Sequence, residues 1–176
     1  EYRTGYLDRL AEICRGGFGE VEIHLHHDND TPGNLAASLK DFASLLHEQH
    51  GFLSRDAAGR LRYGFIHGNW ALDNSRPDRR RCGVNGELAV LADTGCYADF
   101  TNPAAPSPAQ TRTVNQIYYA STTAPSPKAH DRGVRAGVGR RPVVESLLMV
   151  QGPLGLSWRN AKWGLAPRLE TGALDG

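Results

Sequence analysis

Cysteine is scarce in this chain: three among 176 residues, at Cys14, Cys82 and Cys96, with no C-x-x-C pair. That excludes a disulfide framework and a cysteine-based zinc knuckle. Buried free thiols are expected, with a single Cys82–Cys96 bridge as the alternative. An excess of one charge is lacking too. The formal net charge is +1, so no field exists to recruit nucleic acid or an anionic membrane. The run Arg79-Arg80-Arg81 is expected to be a solvated loop. No apolar stretch approaches the roughly 20 residues of a membrane-spanning helix. No signal-peptide pattern is read from Glu1 onward, which leaves localisation unknown. Two reaction classes are also disfavoured. There is no G-x-S-x-G elbow for a serine hydrolase. Gly16-Gly17-Phe18-Gly19 precedes a strand, the wrong context for a glycine loop that cradles phosphates.

What is present describes a folded domain. Hydrophobic content of 40% and charged content of 22% suit a globular chain rather than a disordered one, and 176 residues suffice for one core. In "YLDRLAEICRGG", Leu7, Leu10, Ala11 and Cys14 share a helical face that stops at Gly16-Gly17. "EVEIHLH" alternates: Val21, Ile23 and Leu25 point one way, Glu22, His24 and His26 the other, which reads as a strand. Thr31-Pro32 is an N-cap with proline at the first helical position; Leu35, Leu39, Phe42, Leu45 and Leu46 follow at helical spacing, and Gly51 closes the helix. "LRYGFIHG", "GELAVLADTG" and "CYADFT" read as strand, helix and strand, and "VVESLLMV" as a later strand. The alternation predicts an α/β architecture with parallel strands. Residues 102–142, rich in Pro, Gly, Ser and Thr, are expected to form a loop-rich insertion within a single 1–176 domain. "QGPLGLSWRNAKWGLAPRLE" reads as turns with packed tryptophans.

The chemistry concentrates in "EVEIHLHHDND", residues 20–30. Residues two apart on a strand share a face, so His24 and His26 project together from bases roughly 7 Å apart. His27 and Asp28 fall where the strand ends, and Asp30 is the residue most readily given to capping the next helix. The carboxyl ends of strands carry the chemistry of parallel α/β folds. Imidazole nitrogens with carboxylate oxygens are a normal ligand set for a divalent metal, zinc above all, and an incomplete shell leaves room to activate a water.

These residues resemble the second conserved block of the polysaccharide deacetylases, metal-dependent carbohydrate esterases, where a strand reads E-I-G-x-H and some relatives carry E-I-G-L-H-L-H-P. "YGFIHGNWALDNS" is similar to the family's next block, F-R-x-G-x-W, and "NGELAVLADTGCYADFT" to its x-L-x-x-L-x-x-L-G-x-x-x-D-S segment. The three blocks follow in order over Glu20 to Thr101. The resemblance implies a distorted (β/α) barrel of the glycoside hydrolase/deacetylase type and a divalent metal held by one Asp and two His. It also implies removal of an acetyl group from an acylated carbohydrate. His24 matches the first family histidine; the second ligand falls on His26 in the variant form, with Asp28 in reserve. The family's T-F-D-D block is not found and would lie before Glu1. Ile66 stands at the third block's arginine, with His67 beside it, and the C-terminal leucine-strand and histidine block is not recognisable.

The expected site is therefore His24 and His26 on the metal, with His67 and Asp28 as catalytic side chains. Asn69, Trp70 and His130 are expected to bind substrate. Trp70 could stack on a sugar ring, and His67 and Asn69 could orient an acyl oxygen. His130 is read as a surface-loop residue or a pocket wall. His47 and His50, near a helix end, need no role beyond the dipole. Trp158 and Trp163 are expected to pack a terminal turn. Two other readings remain: another H-x-H metallohydrolase of amidohydrolase or phosphoesterase type, and a non-catalytic carbohydrate-binding relative.

Overall fold

A computed structural model describes residues 3–81, 84–124, 126–157 and 168–171. Helix α1 (Thr4–Arg15) buries Ala11 and ends at Gly16, whose N–H returns to Glu12 O, with Gly17 N–H returning to Cys14 O. Strand β1 (Ile23–Leu25) is shorter than its alternating pattern suggests. Helix α2 (Pro32–His50) starts as its sequence dictates: Thr31 accepts a hydrogen bond from Asn34 N at 3.2 Å, and Pro32 needs no donor in the first turn. It stops at Gly51, which takes the left-handed φ of 71°. The stripe it buries is Leu35, Leu39, Ala43, Leu46 and His50. Phe42 falls beside that stripe and is 39% exposed, so helical spacing over-assigned it to the core.

Strand β2 (Ser54–Arg55) pairs antiparallel with β3 (Leu61–His67) around a turn in which Asp56 accepts from Ala58 N and Arg60 N. Helix α3 (Glu87–Thr94), β4 (Cys96–Asp99), β5 (Ile117–Ser121), β6 (Val134–Arg135) and β7 (Ser146–Val150) follow. The sheet order is β1-β3-β4-β7-β5-β6, with β2 on the side of β3. β1, β3, β4 and β7 are mutually parallel; β5 and β6 run antiparallel. The architecture is mixed α/β with an open, mostly parallel seven-stranded sheet. The stretch 102–142 is not merely loop, because it supplies β5 and β6. Beyond the sheet, β8 (Leu154–Ser157) and β9 (Arg168–Thr171) form a two-stranded hairpin where turns were expected; Trp158 and Trp163 lie outside the described residues. Cys96 is a buried free thiol and Cys14 a half-buried one, while Cys82 lies outside the described residues.

One face of the sheet holds the core. Ile23, Tyr63 and Phe65 join Leu35, Leu39, Leu46, Leu88 and Leu91 from α2 and α3 in a single apolar cluster. Each fully buried large side chain of this kind contributes about 1.5–3 kcal/mol. Gly95 makes the α3–β4 corner possible. Its φ is 111°, its carbonyl accepts Tyr63 N, and any Cβ there would collide with the Leu61 carbonyl. Gly95→Ala is therefore expected to lower stability by about 3 kcal/mol or more, combining backbone strain with a steric clash. Urea unfolding measures it; a loss under about 1 kcal/mol would show that the corner relaxes freely.

Candidate metal centre and adjoining cleft

The parallel strands end in polar side chains. β1 runs out into His26, His27 and Asp28; β3 ends on His67; Asp99, Thr101 and Asn102 follow along β4; Gln151 follows β7. The register pairs Leu25 with His67, so His27 continues the core-facing parity of Ile23 and Leu25. It meets His67, which continues the parity of Tyr63 and Phe65. Glu87, the first residue of α3, completes the group. His27 Nε2 lies 2.8 Å from His67 Nε2 and 3.2 Å from Glu87 Oε1, and His67 Nε2 lies 3.6 Å from that oxygen. Ligand atoms around a tetrahedral zinc with bonds of about 2.0–2.1 Å stand about 3.3 Å apart, a spacing these three distances bracket.

Their outer partners decide which atoms face inward. His67 Nδ1 lies 2.6 Å from the Gly68 carbonyl, which can only accept, so Nδ1 carries the proton and Nε2 of the neutral ring is a lone pair. His27 Nδ1 lies 3.3 Å from Asp30 Oδ2 without a hydrogen bond, and His27 Nε2 faces Glu87 Oε1, a carboxylate oxygen that accepts its N–H in the metal-free protein. Once that proton is displaced, two imidazole lone pairs and one carboxylate oxygen converge. A cation is what such a set lacks, and a divalent ion fits it.

The surroundings raise the stakes. Glu87 and Asp73 are both buried and cap each other reciprocally: Asp73 N donates to Glu87 Oε2 at 2.6 Å, and Glu87 N to Asp73 Oδ1 at 3.0 Å. Burial raises the Asp73 pKa, against the hydrogen bonds from Ala129 N and Glu87 N. Burial also holds His67 below the usual histidine range, with Glu87 opposing. At His27 burial pulls down, but the hydrogen bond and charge of Glu87, with Asp30 and Asp28, outweigh it and the pKa rises. His67 is further pinned by its N–H to Thr101 Oγ1 at 2.8 Å, and Thr101 donates in turn to Asp99. Asp99 is buried and pushed up to about 7 by desolvation.

His24 and His26 occupy the opposite parity and stand apart from the triad. Their Nε2 atoms are 2.8 Å apart, and His26 Nδ1 lies 3.0 Å from Asn69 Nδ2. No third His, Cys, Asp or Glu joins that pair within ligand distance among the described residues, whereas His27, His67 and Glu87 do form such a group. Gly68 makes room for the His26 ring, which a Cβ there would strike. An open cleft of about 330 Å³ is lined by His26, His27, Asp28, Asn69 and Arg81. Asp28, expected as catalytic, lines it and accepts Arg81 N at 2.7 Å. Trp70 stands beside it in the next turn, 47% exposed. His130 is neither at the surface nor on the cleft. It is 0% exposed, with both ring nitrogens lacking a hydrogen-bond partner among the described residues.

Sequence reasoning thus placed His67 at the site but not as a ligand, and it passed over Glu87. Nothing local marks Glu87, which lies 60 residues from His27 at the start of a helix. His27 did carry a signal, the odd-numbered parity of the strand. No protein-family model matches the chain, and comparisons with curated proteins and with solved structures find no match either.

Proposed function

We propose that the chain is a metal-dependent hydrolase that removes an acyl group, acetyl in the first instance, from an N- or O-acylated carbohydrate. The observation that carries the proposal is the convergence of His27 Nε2, His67 Nε2 and Glu87 Oε1, three atoms able to ligate one ion, at the carboxyl end of parallel strands. Zinc or a similar divalent ion would be held by these residues, with Asp30 and the Gly68 carbonyl fixing the two rings. When bound, such an ion supplies Lewis-acid polarisation of an acyl oxygen and a lowered pKa for water.

The chain's own residues supply the rest. Asp28, on the cleft wall next to His27, can take a proton from water. Asn69 and the His24–His26 pair offer polar contacts to the acyl group and the ring hydroxyls. Trp70 presents an aromatic face on which a sugar can stack. The carbohydrate half of the reading rests on the resemblance of "EVEIHLHH" and "YGFIHGNW" to the deacetylase blocks. It brings the deacetylase-type barrel with it, for which the run β1-β3-β4-β7 would supply an arc.

The test is metal content followed by turnover. Purified protein is expected to hold close to one equivalent of zinc, cobalt or nickel and to release acetate from N-acetylated glycans in a chelator-sensitive way. His24→Ala and His26→Ala are expected to keep the ion, since the converging atoms belong to other residues. Loss of metal in those two variants would move the centre to His24 and His26; no metal in any form would end the hydrolase reading.

A further inference from the structure

We infer that the cleft carries an anion-binding subsite, built by Arg81 and Asn69, that selects sugars bearing a carboxylate or phosphate group. The inference deepens the hydrolase reading, on which its link to an acylated substrate rests; the subsite itself stands on the cleft.

Arg81 is anchored at two points. Its backbone N–H donates to Asp28 Oδ1 at 2.7 Å, and its guanidinium NH1 donates to Asn69 Oδ1 at 3.2 Å. An arginine offers only donors, so the Asn69 atom facing it must be the carbonyl oxygen, and the amide nitrogen is left to face His26. The guanidinium is thereby held at the cleft wall, with one side-chain N–H···O bond among the described residues and the rest of its five N–H groups unused by them. Arg76, in the same loop, is neutralised by Asp78 at 2.8 Å. The Arg81 guanidinium has no such carboxylate among the described residues. A planar fork with spare donors and no counter-ion is the arrangement that binds carboxylate or phosphate in bidentate fashion.

The backbone is bent to present these groups. Asn69, Trp70, Arg79 and Arg81 have φ of 57°, 55°, 51° and 62°, left-handed values that non-glycine residues adopt at a cost of about 1 kcal/mol or more each. Two of these, Asn69 and Arg81, line the cleft itself, which marks segments shaped for something other than their own stability. The cleft volume of about 330 Å³ falls at the small end of the range for small-molecule sites, about 300–1,000 Å³, which suits a single sugar unit. With His27 also in its lining, a ligand whose acyl group reaches the triad would set its ring substituents against Arg81 and Asn69. A neutral N-acetylated sugar leaves the guanidinium unpaired there. An acidic one, with a uronate carboxylate or a phosphoryl group, pairs it.

The experiment uses chelator-treated protein, so that no ion competes for the anion. D-glucuronate, inorganic phosphate and D-glucose are titrated by NMR against wild type, Arg81→Ala, Arg81→Lys and Asn69→Ala. Glucuronate is expected to bind at least about tenfold more tightly than glucose, through a charge-assisted contact that weakens with salt. Arg81→Ala is expected to remove that preference and Arg81→Lys to restore it in part, since a point charge lacks the fork. Phosphate binding without glucuronate binding would assign the subsite to a phosphoryl group; the reverse would assign it to a uronate. Equal binding of glucuronate and glucose with no Arg81-dependent phosphate binding, or an unchanged anion preference in Arg81→Ala, would overturn the inference. Because nothing here depends on metal or turnover, an Arg81-dependent preference would survive failure of the hydrolase reading. Acetate release from neutral and acidic glycans at equal rates would keep that reading and reject the selectivity.

Discussion

Glu87→Gln is expected to reduce bound zinc from near one equivalent to a small fraction while leaving the protein folded. Glu87 uses its two oxygens differently: Oε2 accepts the Asp73 N–H at 2.6 Å, while Oε1 faces the Nε2 atoms of His27 and His67 at 3.2 and 3.6 Å. Glutamine keeps an oxygen for Asp73. Its amide nitrogen then points at His27 Nε2 and His67 Nε2 and donates to them. The metal loses its anionic ligand, and an amide donor stands where the carboxylate oxygen was. Losing an outer-shell partner of a metal histidine lowers affinity about 10–100-fold, and losing this direct ligand should exceed that range. Because glutamine keeps the size and the oxygen that holds Asp73 N, the fold should survive, with some loss of stability from removing the partner of His27. Competition with a chromophoric chelator, with urea unfolding alongside, measures both quantities. Wild-type zinc affinity in the variant would place the ion elsewhere. His67→Ala is a poorer probe, because it empties a fully buried position and frees the Gly68 carbonyl, so metal loss and unfolding would be confounded.

The sequence discloses the parts of this centre unevenly, for identifiable reasons. Local signals were readable where local chemistry sets the structure. Thr31-Pro32 opens α2, Gly51 and Gly95 end helices with left-handed φ, and the β3 run stops at Gly68. The strand parity was also read correctly, with Val21, Ile23 and Leu25 on one face. The same parity carried two residues past the end of β1 puts His27 on the core side, facing His67, and His24 and His26 on the other. Attention went to the pair because H-x-H is a visible motif, whereas a ligand set drawn from 27, 67 and 87 becomes visible only once β1 and β3 are in register. Glu87 was hidden for a further reason. An acidic residue in the first turn of a helix is common for its dipole alone, and only its burial against Asp73 shows another use. Antiparallel β5 and β6 were missed because the Pro- and Gly-rich segments around them mask short strands; β6 has only two residues.

As pH drops below about 6.5, wild type is expected to lose stability relative to His130→Leu. His130 sits in a short turn whose Ala129 N–H is held by Asp73 and whose carbonyl accepts the Tyr118 hydroxyl at 2.5 Å. The chain around it is thus fixed while its ring is fully buried and unpartnered. Desolvation, with Lys128 adding to it and Asp131 opposing, pushes its pKa down to about 3. In the unfolded chain the value returns to about 6.5. Between these two pH values the unfolded state binds a proton that the folded state refuses, so acid favours unfolding there. Above about 6.5 neither state binds it, and the effect vanishes. At about 1.4 kcal/mol per unit, the 1.5 units from 6.5 to 5 amount to about 2 kcal/mol. Asp99 has the opposite sign: its pKa, raised to about 7, makes the folded state the better proton binder between about 4 and 7. That contribution is common to wild type and variant and cancels between them. Urea midpoints at pH 5, 6, 7 and 8 should run parallel for the two proteins at pH 7 and 8. Below that they should diverge, with the leucine variant about 2 kcal/mol less affected by pH 5. Parallel curves down to pH 5 would mean that the His130 ring finds a proton acceptor on protonation, and that its burial does not govern the acid limb.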